Sequence, residues 1–252
     1  MKVFEEVQEE LLQKVPLAKS MFLYLIKDNC RTERMTDEKH MLGGRGGCGV
    51  LLELFEECLE KEYREVENGG SWAYGREGDG LFLWFQQSHG AVDWLNNLNF
   101  GSAPYSEMNP PWECHAGFLR VWKSVKPYVE PLVLDPTVKK ITVVGYSHGA
   151  ALAALCHEYI WYRRRDLRAR LLGFGFGCPR VLYGCVPPDI APRWEQFYVI
   201  RNADDIVTHL PPRALGFCHV GNLITVGRKG NYSPIDAHRP ENYLAELKLL
   251  KI

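Results

Sequence analysis

Among the 252 residues there is no Cys-x-x-Cys pair, no internal repeat, no secretory-type leader and almost no net charge, formally -1. Each absence removes a class. Eight widely separated cysteines argue against a zinc ribbon or a dithiol redox site. The lack of a repeat argues against solenoids and propellers. No apolar run reaches the roughly 18 residues of a membrane-spanning helix. The charge balance gives nucleic acid no electrostatic foothold. Met1 to Val15 mix Glu, Gln and Lys into their apolar positions, so the sequence predicts a cytoplasmic protein with reduced thiols. What remains, 46% hydrophobic and 24% charged residues, is the profile of a globular chain. The length suits one α/β domain over residues 1–252.

Helical spacing dominates the first 65 residues: Val3, Val7, Leu11 and Leu12, then Met21 to Ile26, then Leu51 to Tyr63. A helical N-terminal layer is expected there, with Gly43 to Gly47 as a loop; no Lys-Ser/Thr follows to make it a phosphate cradle. From Leu81 to the end, a catalytic core over 81–252, short apolar runs alternate with helical patterns. Leu81–Phe85, Ile141–Val144, Leu171–Phe176, Phe197–Ile200 and Val220–Val226 read as buried strands. Cys114–Tyr128, Ser147–Arg165 and Arg239–Leu250 read as helices. Strands alternating with helices predict a mostly parallel central sheet flanked by helices. Arg163, Arg164, Arg165, Arg168 and Arg170 are expected to form a solvated helix end, where positive charge suits the dipole.

Ile141-Thr142-Val143-Val144 runs straight into Gly145-Tyr146-Ser147-His148-Gly149, and an alanine-rich helix former follows. A Gly-x-Ser-x-Gly pentapeptide alone is a weak signal in a chain with 23 glycines. Strand, sharp turn and helix together make it a nucleophile elbow, with Ser147 presented at a helix N-terminus whose backbone N–H groups face an oxyanion. Ser147 then needs a histidine base and an acid to orient that base. The chain order Ser, Asp, His of such folds eliminates His40, His89 and His115. His148 and His157 ride the nucleophile helix and cannot face Ser147. His209 lies too near the expected acid, and His219 reads as a sheet-edge histidine. His238, in a loop before the terminal helix, is the best base. The acid lies after the strand ending at Ile200, where Asp204 and Asp205 compete.

At this point the chain resembles the class 3 lipase family over roughly Leu81 to Tyr243. Phe85-Gln86-Gln87-Ser88 stands where the family has Phe-Arg-Gly-Thr/Ser, and Asp93-Trp94-Leu95 is similar to its Asp-Trp-Leu. His115-Ala116-Gly117-Phe118, Gly177-Cys178-Pro179-Arg180-Val181 and Asp205-Ile206-Val207 through Leu210-Pro211-Pro212 resemble further family motifs. His238 with trailing Tyr243 resembles its terminal histidine. The resemblance implies an α/β-hydrolase fold and selects Asp205 as the acid beside Ser147 and His238. It also implies an oxyanion hole from Ser88 and the backbone N–H of His148. Departures fall close to that hole: Gln86-Gln87 replaces Arg-Gly, His148 the common Leu, and Ala150 the common second Gly.

Acyl transfer through such a triad needs neither metal nor cofactor. The implied partners are lipid or small ester substrates, with transient contact at a lipid interface and none with nucleic acid. Ala91, Val92, Trp94, Leu95 and Leu98 fall at helical spacing where the family's lid begins, so residues 89–100 read either as an apolar lid that favours lipid esters or as a helix packed on the body. An acyltransferase or thioesterase on the same triad, or a lipase-like binding protein without turnover, are the rival expectations.

Overall fold

A computed structural model describes residues 46–87, 100–105, 107–184 and 186–250. The chain divides into two units, Met1–Met41 and Leu42–Ile252, and everything below belongs to the second. Ser88, the lid positions 89–99 and most of the expected N-terminal layer lie outside the described residues.

In chain order the elements are helix α1 (Gly46–Glu60), strands β1 (Arg64–Val66), β2 (Gly70–Glu77), β3 (Gly80–Gln87), β4 (Ser102–Tyr105) and β5 (Trp112–His115), and helix α2 (Ala116–Val133). Then come β6 (Lys140–Tyr146), helix α3 (His148–Arg163), β7 (Leu171–Phe176), β8 (Leu182–Tyr183), β9 (Phe197–Asn202), β10 (Phe217–Cys218), β11 (Asn222–Val226) and helix α4 (Pro240–Leu250). Gly46 and Gly47, expected in a loop, open α1 instead.

The main sheet has seven strands in the order β1-β2-β3-β6-β7-β9-β11. From β3 to β11 every neighbour is parallel, as the alternating pattern predicts. Two additions were not anticipated. Antiparallel β1 and β2 extend one edge, and a separate four-stranded antiparallel sheet, β10-β8-β5-β4, flanks it. Its strands are two to four residues long, too short for a period of two to register. One consequence is a correction to α2, which begins at Ala116 rather than Cys114. Trp112–His115 is strand, and His115 Nδ1 then accepts from Phe118 N at 3.3 Å as the helix cap.

Alternation along β6 sorts the core. Ile141 and Val143 face a cluster with α2 and α3, whereas Val144 and Tyr146 face one with α1 and α4. On α1, Leu51, Phe55 and Cys58 recur at helical spacing and are buried. Each large apolar side chain so buried contributes on the order of 1.5–3 kcal/mol. Helix α3 is buried on every side from His148 to Ile160. Its alanines at 150, 151, 153 and 154 let sheet and α2 approach closely.

The far end of α3 also departs from expectation. Arg164 is buried, not solvated: its guanidinium donates to the carbonyls of Val133, Asp135 and Val138 and to Asp166. They run from the last residue of α2 to just before β6, where backbone ladders stop; Asp135 O also accepts from Val138 N at 3.1 Å, and the buried arginine supplies the further donors. Arg168 lies 3.4 Å over the Trp161 ring, while Arg163, Arg165 and Arg170 are exposed as expected.

Candidate active site

Parallel strands deliver their following loops to one edge of the sheet, and the chemistry gathers there. Ser147 follows β6, Gly177 follows β7, Asp205 follows β9, and His238 lies on a short 3-10 turn, Asp236–His238, after β11. Ser147 occupies a strained backbone position, φ 56° and ψ -125°, of a kind that costs about 1–3 kcal/mol and aims the side chain outward from the turn. Two glycines allow it. A side chain at Gly145 would collide with the Gly149 carbonyl, and one at Gly149 with the Phe85 carbonyl at the end of β3. Ala150, in place of a glycine, fits because Gly175 opposite it leaves room. The amide of Ser147 donates to Phe176 O at 2.9 Å, pinning the turn to β7.

His238 Nε2 lies 2.8 Å from Ser147 Oγ, and its Nδ1 lies 2.8 Å from Asp205 Oδ2. All three residues are buried. The carboxylate at Nδ1 selects the tautomer: Nδ1–H donates to Asp205, leaving the Nε2 lone pair to accept from the serine hydroxyl. Asp205 is held in turn by Val207 N, which donates to Oδ1 at 2.8 Å, and by the Tyr243 phenol, which donates to Oδ2 at 2.6 Å. Burial, reinforced by the charge of Asp205, pushes the Tyr243 phenol well above its ordinary pKa, so it stays a donor.

The base loop is tied down at several points. Asn202 Nδ2 donates to Ala237 O at 3.0 Å, Ile206 N to Pro234 O at 3.1 Å, and Asn242 Nδ2 to Asp236 O at 2.7 Å. Asp204 has a separate task, accepting from Gly230 N at 2.5 Å and fastening the loop that leads toward His238. Gly177 has φ 58°, and a Cβ there would fall 2.9 Å from His238 Cε1 and 3.1 Å from Asp205 Oδ2. Neither Asn202 nor this use of Gly177 was foreseen. Gly177 stands in a family motif, but nothing local marks it as a neighbour of base and acid.

The remaining candidates sort by contact. His219 Nε2 donates to Thr208 O at 2.7 Å, the sheet-edge role expected of it. The His148 side chain turns away from Ser147 and packs edge-on against Phe118, ring centroids 5.3 Å apart. Burial, with His115 nearby, lowers its pKa to about 3, so it stays neutral. Its backbone N–H opens α3 directly after the nucleophile. Among the described residues no cluster of three or more His, Cys, Asp or Glu is arranged to hold a metal.

Residues 82–215 match the family model of lipase (class 3), more than half of the chain. The chain belongs to the class 3 lipase family. Its sequence is 30% identical over 146 residues to a lipase of Rhizomucor miehei, covering 56% of this chain and 40% of that protein. It is 29% identical over 137 residues to secreted mono- and diacylglycerol lipase 1 of Fusarium solani, covering 50% and 38%. The chain therefore spans about 40% of the length of these class 3 relatives. The solved Rhizomucor miehei triacylglyceride lipase superimposes with a TM-score of 0.55 at 25% identity, over 66% of this chain and 67% of the other. A lipase of Rhizopus microsporus var. chinensis gives 0.62 at 18% identity over 81% and 84%, a likeness of fold. The fold is that of an α/β-hydrolase.

Proposed function

We propose that this class 3 lipase homologue is a serine-dependent carboxylic ester hydrolase acting on acylglycerols or other lipid esters. One observation carries the reading: the unbroken hydrogen-bond chain Asp205–His238–Ser147, with both links at 2.8 Å. His238 Nε2 takes the Ser147 proton as Oγ attacks the ester carbonyl carbon. The tetrahedral oxyanion is received by the backbone N–H of His148 at the head of α3 and, by family resemblance, by Ser88. Collapse breaks the carbon–oxygen bond to the alcohol, which leaves with the proton from His238. Water, deprotonated by His238, then attacks the acyl-serine, and the carboxylic acid departs as Ser147 regains its proton.

Lipid esters are favoured as substrates by the relatives' names, which are lipases of triacylglycerides and of mono- and diacylglycerols. Residues 89–100, with their apolar helical spacing, are the proposed lid, and lipid-interface contact follows from that assignment. No helix among the described residues is long and apolar enough to cross a membrane. Cys58, Cys114, Cys156 and Cys178 are buried free thiols, and a cytoplasmic setting is part of the proposal.

The test is covalent labelling by a fluorophosphonate. Wild-type protein is expected to label and to release acid from p-nitrophenyl esters, with rates rising at a lipid interface. Ser147→Ala is expected to do neither, losing at least about 10⁴-fold in turnover while keeping its fold. Failure of folded wild-type protein to label would exclude the reading.

A further inference from the structure

His238 belongs to a long loop between β11 and α4, whereas Ser147 directly follows β6, a central strand of the sheet. A base held 1 Å out of line loses about 100-fold in rate, and loops are the most mobile parts of a fold. Something must therefore hold the base to the nucleophile's frame. The Asp205 contact fixes one ring nitrogen, yet Asp205 itself sits in a loop. The two ring hydrogen bonds, to Asp205 and to Ser147, both lie along the ring edge and leave its faces unsupported.

The ties at Pro234, Asp236 and Ala237 hold the loop around the base, and Tyr146 adds contacts to His238 itself. It is the last residue of β6, directly before Ser147, and is buried at 7% exposure. Its phenol donates to the backbone carbonyl of His238. Its ring lies nearly parallel to the imidazole, with centroids 5.2 Å apart and planes 19° apart. The tether fixes the backbone of the 3-10 turn; the stacked face limits rotation of the imidazole. Burial, with Asp205 nearby, pushes the phenol well above its ordinary pKa, so it remains a donor and does not exchange protons with the site. The ring is backed by Phe55 of α1, edge-on at 5.5 Å. Phe55 is fully buried and also meets Phe176 at 4.6 Å and Tyr243 at 5.6 Å. Helix α1 lies before the stretch that matches the family model.

We propose that Tyr146 is a positioning residue that sets the pose of the His238 base through its carbonyl and its ring face, with Phe55 of α1 holding Tyr146 in place. The inference rests on the triad reading above. It makes residue 146 more than a spacer in the Gly-x-Ser-x-Gly turn, and it makes α1 a working part of the site rather than a cover.

Three variants test it. Tyr146→Phe keeps the stacked ring and removes the tether; kcat is expected to fall about tenfold with KM within about twofold. Tyr146→Leu removes both, with about a 100-fold loss in kcat. Phe55→Leu leaves both contacts in place but loosens their support, with about a threefold loss. Tyr159→Phe is the control. It deletes another phenol, bonded to Glu130 between α2 and α3, and is expected to lose stability without losing kcat. Fluorophosphonate labelling of Ser147 should slow in parallel with kcat in the Tyr146 and Phe55 variants.

The far-downfield proton resonance of the His238–Asp205 hydrogen bond gives a readout independent of turnover. It should be sharp in wild type and in Tyr159→Phe, broadened in Tyr146→Phe, and lost to exchange in Tyr146→Leu. Wild-type kcat and an unchanged downfield proton in a folded Tyr146→Phe would overturn the proposal, even if Tyr146→Leu failed to fold. Unlabelled wild-type protein would instead remove the hydrolase reading, and the resonance would still report on the tether.

Discussion

The two ends of helix α3 solve opposite problems. Its N-terminus is built around absence: Gly145, Gly149, Gly175 and Gly177 clear the space that a strained Ser147 and its partners need. Its C-terminal half is built around saturation. There Glu158, fully buried, accepts from Arg193 Nη1 at 2.6 Å and from Trp112 Nε1 at 2.7 and 2.8 Å, and Arg193 also reaches Pro110 O at 3.1 Å. Arg164 then closes the helix by filling the carbonyls of Val133, Asp135 and Val138. Strain is tolerated at one end because the other is over-determined. Activity should therefore be sensitive at the first end and stability at the second.

The sharpest way to break that contrast is at Gly177. Alanine there adds a methyl against His238 and Asp205 and forces an L-residue into a left-handed backbone. Turnover should fall by about 10³-fold, while the unfolding free energy drops by only about 1–2 kcal/mol. Equal loss in both, measured by ester hydrolysis and urea titration, would erase the distinction.

Arg193→Met probes the opposite end. It leaves Glu158 buried beside Trp112 without its cation, and breaking such a pair costs about 3–5 kcal/mol. Burial already pushes Glu158 up to about 7, against the pull of Arg193 and Trp112, so losing Arg193 should raise it further. The deficit should thus shrink toward pH 5, where the variant's carboxyl is protonated, and kcat of the folded fraction should stay near wild type. A deficit independent of pH would argue that the charge of Glu158 is not what Arg193 answers.

The effect spread over the most groups comes from acid. Burial lowers His148, His157 and His219 to about 3 and His209 to about 4. Below pH 6.5 the unfolded chain binds protons that the folded chain refuses, so stability present above 6.5 is lost on acidification. The slope is up to about 1.4 kcal/mol per pH unit for each histidine. Glu158 works the other way between 4.5 and about 7, where the folded chain holds the extra proton. Four groups outweigh one, and thermal melts should fall steadily from pH 6.5 toward 4. His157→Leu, away from the nucleophile, should flatten that slope by about one proton's worth.

How far the sequence speaks differs along the chain. The elbow was legible because strand, glycines and helix are contiguous, and local pattern is what a sequence displays best. The histidine that meets Ser147 could be picked from eight by chain order and loop position. Asp204 and Asp205 could not be separated by pattern, since adjacent loop residues differ only in direction; the resemblance chose Asp205, and the loop geometry gives Asp204 the Gly230 amide. Tyr146, Asn202 and Gly177 were missed as site neighbours because their contacts span 35 residues or more in the case of Asn202 and 92 for Tyr146. Arg164 looked like one more surface cation in a basic run. Only the fold shows the carbonyls of Val133, Asp135 and Val138 converging on its guanidinium.

The order of strands β6, β7, β9 and β11 has a kinetic consequence. Ser147 and His238 are 91 residues apart, and they meet only after four parallel strands have each found a non-sequential or crossover-linked neighbour. Such long-range pairings are closed late, since the entropy of each intervening loop is lost before its contacts form. A partly assembled sheet contains no weakened version of the site. During refolding, helix signal and burial should return well ahead of hydrolysis, which makes turnover a stringent reporter that the last strand has docked.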